Sequence, residues 1–385
     1  MSEIKVNSIK GVGASAAAIT VNNTDGTCTA NITNNLSNRN LIINGSCIVA
    51  QRGTSQTSIT SSGYYTIDRY KIAISTGTIT ASQSTDVPTG EGFAKSFKVD
   101  VTTADTSLGG TDFLHVQQAI EGQDLQGLAY GTSSAKNITL SFFVKSNKTG
   151  IYCICLEKSD NTRYDFTVEY TISSANTWEK KTITIAPDSN IQASAGAIDN
   201  DNGKGFNLKF VLAAGGDRDN GVNNTWNSST PAHSTSNQVN LLDSTSNEWY
   251  LTGVQLEVGS VATDFEHRSF GQELALCQRY YYVHVEGNQD NIGVGAMYNA
   301  SLCAFSIEFP VSMRATPSLD YVSGTGYYNI YRNGASDTFD TMAMPRANLN
   351  CAALDSGTGT SGTEGVAGIL GTANASAYIA FAAEL

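Results

Sequence analysis

The sequence predicts an all-β protein: a jelly-roll-like antiparallel sandwich joined by a short helix to a smaller C-terminal β domain. Three observations carry this. Apolar and polar residues alternate through successive runs. Ile138, Leu140, Phe142 and Val144 oppose Thr139, Ser141 and Lys145; Tyr164, Phe166, Val168 and Tyr170 oppose Asp165, Thr167 and Glu169; Phe206, Leu208, Phe210 and Leu212 surround Asn207 and Lys209. A period of two belongs to strands with one buried and one polar face, as in antiparallel sheets. No long helical pattern interrupts the runs, which argues against a parallel α/β sheet. Charged residues make up 15% of the chain, against roughly a quarter in ordinary domains, and 36 glycines supply turns.

The elements follow in order. Residues 1–39 contain isolated patches, Ile4, Val6 and Ile9 and then Ala16 to Val21, before a run of turn residues. That is too little to bury a core, so the segment reads as an arm that orders on a partner or on sister chains. Residues 40–268 read as one sandwich of eight to ten strands, with Trp178 to Ile185 as a further strand and 213–247 as a long polar loop. In the strand that starts at Trp249, Leu251 and Gly253 share its face. Tyr250, Thr252, Val254, Leu256 and Val258 form the other, more apolar face.

Residues 269–282 are the linking helix. Ser269 opens it as a capping box with Gln272 three residues on. Phe270, Leu274, Cys277 and Tyr281 form a stripe expected to pack against a core between the two β domains, where copies of the chain can meet on an axis. In 283–385, Cys303, Phe305, Ile307 and Phe309 alternate, and Tyr327, Tyr328, Ile330 and Tyr331 suggest another strand. The end carries Tyr378, Ile379, Phe381 and Leu385, expected to pack against a neighbouring copy.

Composition narrows the function. A net charge of −12 argues against sequence-independent nucleic-acid binding and against a polybasic membrane surface. No run of about 18 apolar residues is present, so no membrane-spanning helix is expected. The N-terminus lacks the apolar core of a signal peptide. The seven cysteines are scattered without zinc-like pairs, and Cys153 and Cys155 fall on one strand face. They read as buried, reduced thiols of a protein made in a reducing cytoplasm.

No nucleophile elbow, zinc helix or phosphate loop occurs. His115 reads as a sheet residue and His267 as a residue orienting a charged loop. Paired carboxylates could serve a glycosidase only if the fold united them. The chain therefore reads as a non-enzyme. Asp199-Asn-Asp201-Asn-Gly203 and Asp217-Arg-Asp219-Asn-Gly221 resemble fragments of calcium loops but lack the closing Glu. Plain turns explain them, and structural calcium is the one cofactor left open. Trp226, flanked by amides in the polar loop, is the candidate glycan contact; the competing reading tucks it beneath its own loop.

Four stretches carry a family resemblance: "MSEIKVNSIKG" at the start, "NLIINGSCIVAQRGTS…YYTIDRYKI" at 40–72, "FLHVQQAIEGQDLQGLAYGTSSAKNITLSFFVKS" at 113–146 and "QLEVGSVATDFEHRSFGQELALCQRYYY" at 255–282. They resemble tail-fibre and related virion proteins of tailed phages, especially marine ones, that carry a carbohydrate-binding-module-like jelly roll. The resemblance implies a structural fibre or receptor-binding component of the virion, assembled in the bacterial cytoplasm as a homotrimer. It would be anchored to other virion proteins through the arm and would contact a host-surface glycan. The alternatives are a capsid-bound decoration or head fibre, and a polysaccharide-cleaving tailspike.

Overall fold

The alternating runs become strands of two sheets that face each other across one apolar core. In the computed structural model, which describes residues 8–9, 19–21, 28–30, 38–228 and 232–385, both sheets are antiparallel. The six-stranded sheet runs, edge to edge, Glu179–Ile185, Ile138–Ser146, Glu248–Val258, Ser96–Thr103, Thr78–Ser84 and Ser55–Ile59. The seven-stranded sheet runs Thr225–Asn227, Tyr164–Ile172, Gly150–Lys158, Lys204–Ala214, Phe113–Glu121, Lys71–Ile74 and Gly63–Tyr64. This is the jelly-roll sandwich. It exceeds the eight to ten strands expected because very short edge strands, such as Gly63–Tyr64 and Thr225–Asn227, leave almost no periodic signal.

The predicted inward faces meet in one core: Leu140 and Phe142, Phe166 and Tyr170, Leu208 and Phe210 all belong to it. The strand Glu248–Val258 departs from its predicted alternation. Trp249 and Leu251 lie in the same core as Val254 and Leu256. The cause is a bulge against Ile138–Ser146, where the register shifts between Ser141 and Phe143. Gly253 sits there at φ 62°, and a Cβ on it would lie 2.6 Å from the Phe93 ring. The extra residue carries the side chains after it to the opposite face.

The outer face of the seven-stranded sheet is covered by the polar loop. Asp165 and Thr167, expected to meet solvent, are fully buried beneath it. Trp226 is not an exposed platform. It sits in an edge strand, 5% exposed, with its Nε1 donating to Ala186 O at 2.9 Å and its ring against Phe166 and Tyr130. The glycan-contact expectation for Trp226 is therefore corrected. The pairing of Phe166 with Trp226 extends the core to the sheet edge and buries the indole.

The C-terminal β domain has its own core, which includes Phe305, Ile307, Ile330, Leu354 and Phe381. A three-stranded sheet, Tyr281–Glu286, Tyr378–Ala382 and Ser318–Tyr321, accompanies a seven-stranded one. The latter runs Ala335–Phe339, Tyr328–Arg332, Ala367–Thr372, Asn291–Asn299, Leu302–Glu308, Cys351–Ser356 and Met342–Ala347. The closing strand pairs on both sides within its own chain, so Ile379 and Phe381 are buried there and not against a neighbour. In the arm, Ser8–Ile9, Ile19–Val21 and Cys28–Ala30 pair as a small antiparallel sheet. Ile4 and Val6 lie outside the described residues.

Candidate functional site at the inter-domain clasp

The helix Phe270–Gln278 begins as predicted. Ser269 Oγ accepts from Gln272 N at 3.3 Å, and Gln272 Oε1 accepts from Ser269 N at 3.0 Å. Its packing differs from the expected stripe. The helix ends at Gln278, and Tyr281 already belongs to the first strand of the C-terminal domain. Phe270 is 57% exposed and Leu274 half-buried, whereas Glu273 and Cys277 are buried. The four residues are thus split. Cys277 and Tyr281 pack inside the chain, and Phe270 and Leu274 do not join them. A buried acid, Glu273, holds the inward face.

Glu273 Oε1 accepts from Asn44 N and lies 3.5 Å from Arg268 Nη1. Burial raises its carboxyl pKa, offset in part by these two partners. Arg268 reaches on to the carbonyls of Asn40 and Ile42. Glu266 accepts from Asn38 N at 2.6 Å and Asn40 N at 2.9 Å. Gln118, in the strand Phe113–Glu121, grips Ile43 through both N and O at 2.8 Å. The chain entering the sandwich at 38–44 is thereby held by Gln118 and by three side chains from more than 200 residues later, Glu266, Arg268 and Glu273.

The same helix end ties in the second domain. Glu121, fully buried, receives Arg279 Nε at 2.8 Å and Nη2 at 2.7 Å, and Tyr280 OH at 2.5 Å. Burial alone would raise its pKa; Arg279 and Tyr280 outweigh this and hold it below the usual value. The buried Arg69 lies with its guanidinium 3.3 Å from the centre of the Tyr280 ring, donates to Ala119 O and pairs with Glu384. Arg69 adopts φ 72°, a left-handed conformation uncommon for a non-glycine residue. Arg52 also faces Glu384 at 3.3 Å and stacks over Tyr281 at 3.4 Å. Tyr281 OH donates to Asp320 Oδ2 at 2.7 Å, and Tyr64 OH donates to Leu385 O at 2.9 Å.

Beside the clasp runs a groove of about 820 Å³ between Leu41, Ile43, Ala275, Leu276 and Val311, edged by Glu266 and Arg268. A second polar cluster lies under the loop on the seven-stranded sheet. Glu157 accepts from Lys209 at 2.7 Å and Lys204 at 2.9 Å, and Lys209 Nζ lies 3.1 Å from His233 Nε2. Burial pushes the Glu157 pKa up, but Lys209 and Lys204 reverse this and hold it far below the carboxylate range. The Nδ1 atoms of His115 and His233 lack protein partners. His267 packs against Phe93 and Phe265.

Among the described residues, no group of three or more His, Cys, Asp or Glu is placed to hold a metal. In the first calcium-like run, Asp201 Oδ1 accepts from Gly203 N at 2.8 Å, the hydrogen bond of a turn. No helix among the described residues is long and apolar enough to cross a membrane.

No family model matches this chain, and no curated protein matches it. Solved structures do align. The enzymatically active domain of bacteriophage CBA120 tailspike protein 4 aligns over 57% of this chain and 21% of its own, with 14% identity and a TM-score of 0.29. This chain thus spans about a fifth of that structure. A family 11 carbohydrate-binding module from Clostridium thermocellum, in complex with a mixed-linked tetrasaccharide, aligns over 55% of this chain and 98% of its own, with 14% identity and a TM-score of 0.25. Likeness at this level assigns no ligand to this chain.

Charged residues of the clasp, Glu121, Arg279, Arg69, Glu273 and Glu384, were not singled out by the sequence. The available signal was an acid or an arginine embedded in an apolar strand or helix face in a chain poor in charge.

Proposed function

We propose that this chain is a non-enzymatic structural component of a tailed-phage virion, a fibre or receptor-binding protein that works as a homotrimer. One observation carries the reading. The stretches at 40–72, 113–146 and 255–282, on which the likeness to virion proteins rests, converge on the clasp. Asn44, Arg52 and Arg69 come from the first, Gln118 and Glu121 from the second, and Arg268, Glu273, Arg279 and Tyr280 from the third. Those stretches thus supply most of the buried joint that fixes the sandwich to the domain after it. A fibre needs such a stiff joint, because load passes along it between attachment and host contact.

In this reading residues 1–39 attach the chain to another virion protein, and the surface beyond the clasp meets the host, with a surface glycan as the ligand class. Labelled antibody on intact particles tests it: label at the tail tip supports the fibre, and label over the head moves the protein to a capsid decoration. Deleting residues 1–39 should leave a soluble, folded protein that no longer incorporates. Incorporation of the truncated chain would sink the anchoring role.

A further inference from the structure

Three phenylalanines lie outside the sandwich core and gather on the other side of the six-stranded sheet. Phe143 faces away from the core that its neighbours Phe142 and Val144 enter. Phe93 lies against it with ring centres 5.6 Å apart, and Phe265 lies 5.0 Å from Phe93. His267 completes the group, 5.2 Å from Phe93 and 4.9 Å from Phe265. The bulge at Gly253 makes room for the rings: a Cβ there would lie 2.6 Å from Phe93 and 3.0 Å from Phe143. The loop 264–268 divides its side chains. Glu266 and Arg268 hold the chain entering the sandwich, while Phe265 and His267 turn to the rings. Together with Glu91, Asp264 and Lys180 the rings line a pocket of about 210 Å³. We propose that this pocket binds one neutral pyranose residue of a glycan. The inference takes its ligand class from the reading above and adds a site on the sandwich, short of the clasp.

The chemistry of the pocket selects this ligand. A pyranose is apolar on its ring faces and polar around its edge, and aromatic rings beside a few charged groups match both parts. Phe93 and Phe143 are 8% and 7% exposed, so they form the floor; Phe265 is half-buried and His267 exposed, so these two meet the sugar. Glu91 and Asp264 accept from hydroxyls, and Lys180 donates to them. Pockets for drug-sized ligands run to roughly 300–1,000 Å³, and this one is smaller, so it takes one ring and leaves the rest of the glycan outside. An organic cation is disfavoured, because Lys180, the cross-strand partner of Phe143, already holds its Nζ 5.6 Å from the centre of that ring. Two carboxylates against one ammonium group disfavour an acidic sugar.

Saturation-transfer NMR on the full chain tests the proposal. The probes are the methyl glycosides of glucose, galactose, mannose and N-acetylglucosamine, with choline chloride as the cationic competitor. The wild type should transfer saturation to at least one glycoside. Phe265→Ala and His267→Ala should each weaken that binding by roughly tenfold, the effect of about one lost contact. Phe270→Ala, on the exposed side of the helix, should bind as the wild type does. Circular dichroism checks that each variant is folded; should Phe265→Ala misfold, Glu91→Gln joins His267→Ala in its place, since both side chains are exposed. Transfer that persists unchanged in the folded variants overturns this pocket and leaves the glycan part of the reading above standing. Transfer to none of the glycosides overturns the pocket and that part together. Transfer to choline in their place overturns the sugar assignment and makes the pocket a cation site.

Discussion

Arg279 grips Glu121 with two hydrogen bonds of 2.8 and 2.7 Å, joining the end of the helix to the end of a sandwich strand 158 residues earlier. Tyr280, the next residue, adds its hydroxyl to the same carboxylate and its ring to Arg69. The pair is a mechanical joint as much as an ionic one, since both domains depend on its geometry. Losing Arg279 leaves Glu121 buried with weaker partners. A fully buried pair costs ~3–5 kcal/mol to break, and the partly exposed Arg279 brings this to about 2 kcal/mol. Calorimetry on Arg279→Met should show a lower and divided melting transition; a single transition at the wild-type temperature would show that the joint does not couple the domains.

Acid should weaken the sandwich through its histidines. Burial, then the nearby Lys209 charge, lowers the pKa of His115 to about 3 in the folded protein, and His233 is lowered in the same direction. Unfolded histidine titrates near ~6.5. Between those values the unfolded chain binds more protons, so stability falls as pH drops from about 6.5 to about 3. Asp68 acts oppositely, because burial raises it to about 6 and its contribution fades as pH rises through that value. Melting temperatures measured from pH 7 to pH 4 should decline in the wild type and decline less in His115→Gln. Equal slopes would remove His115 from the account.

The strands were legible because a period of two survives wherever one face is buried and the other is not. Tyr164, Phe166, Val168 and Tyr170 show this, as do Cys303, Phe305 and Ile307. What failed depends on long-range contacts. Alternation through Trp249 breaks at Gly253, because a bulge depends on the partner strand. Trp226 looked exposed because its strand is three residues long and its cover, Tyr130, lies far away in sequence. The capping box at Ser269 was local and so could be read directly. The charges of the clasp could not be, since their partners lie up to 315 residues apart.

Trp226 should matter for stability and not for sugar. Its ring closes the edge of the core against Phe166 and Tyr130. Trp226→Ala should destabilise the sandwich by about 3–5 kcal/mol, as for other large-to-small core changes. Binding of the protein to host polysaccharide, measured at a temperature where the variant is folded, should be unchanged. Selective loss of binding with full stability would restore Trp226 as a contact.

Five thiols, Cys47, Cys153, Cys155, Cys277 and Cys303, should be inert until the chain unfolds, whereas Cys351 is half-buried and departs from the expected burial. Burial raises the pKa of Cys47 to about 12 and of Cys303 to about 11, and Cys153, Cys155 and Cys277 rise for the same reason. Thiolate, the reacting form, is therefore scarce at neutral pH. Native protein should react slowly with a thiol reagent at these positions, and denatured protein should yield all seven thiols. Fewer than seven in non-reducing denaturant would mean that disulfides form.

Hydrolysis of polysaccharide is the activity most at odds with this reading. One pair of buried carboxylates that the fold brings together is Glu157 and Asp165, direct cross-strand partners. A glycosidase needs one acid protonated near neutral pH and one free to attack or to activate water. Glu157 fails as the acid, because Lys209, Lys204 and Arg163 surround it and keep it ionised. Asp165 is raised by burial but is chelated by Arg163 through both oxygens and lies beneath the loop. Incubation with host polysaccharide should therefore release no reducing sugar. Glu157→Gln should act on stability alone, by ~3–5 kcal/mol, since it leaves the buried Lys209 without its counter-ion. Sugar release by the wild type that vanishes in a folded Glu157→Gln variant would make the chain a tailspike-type enzyme.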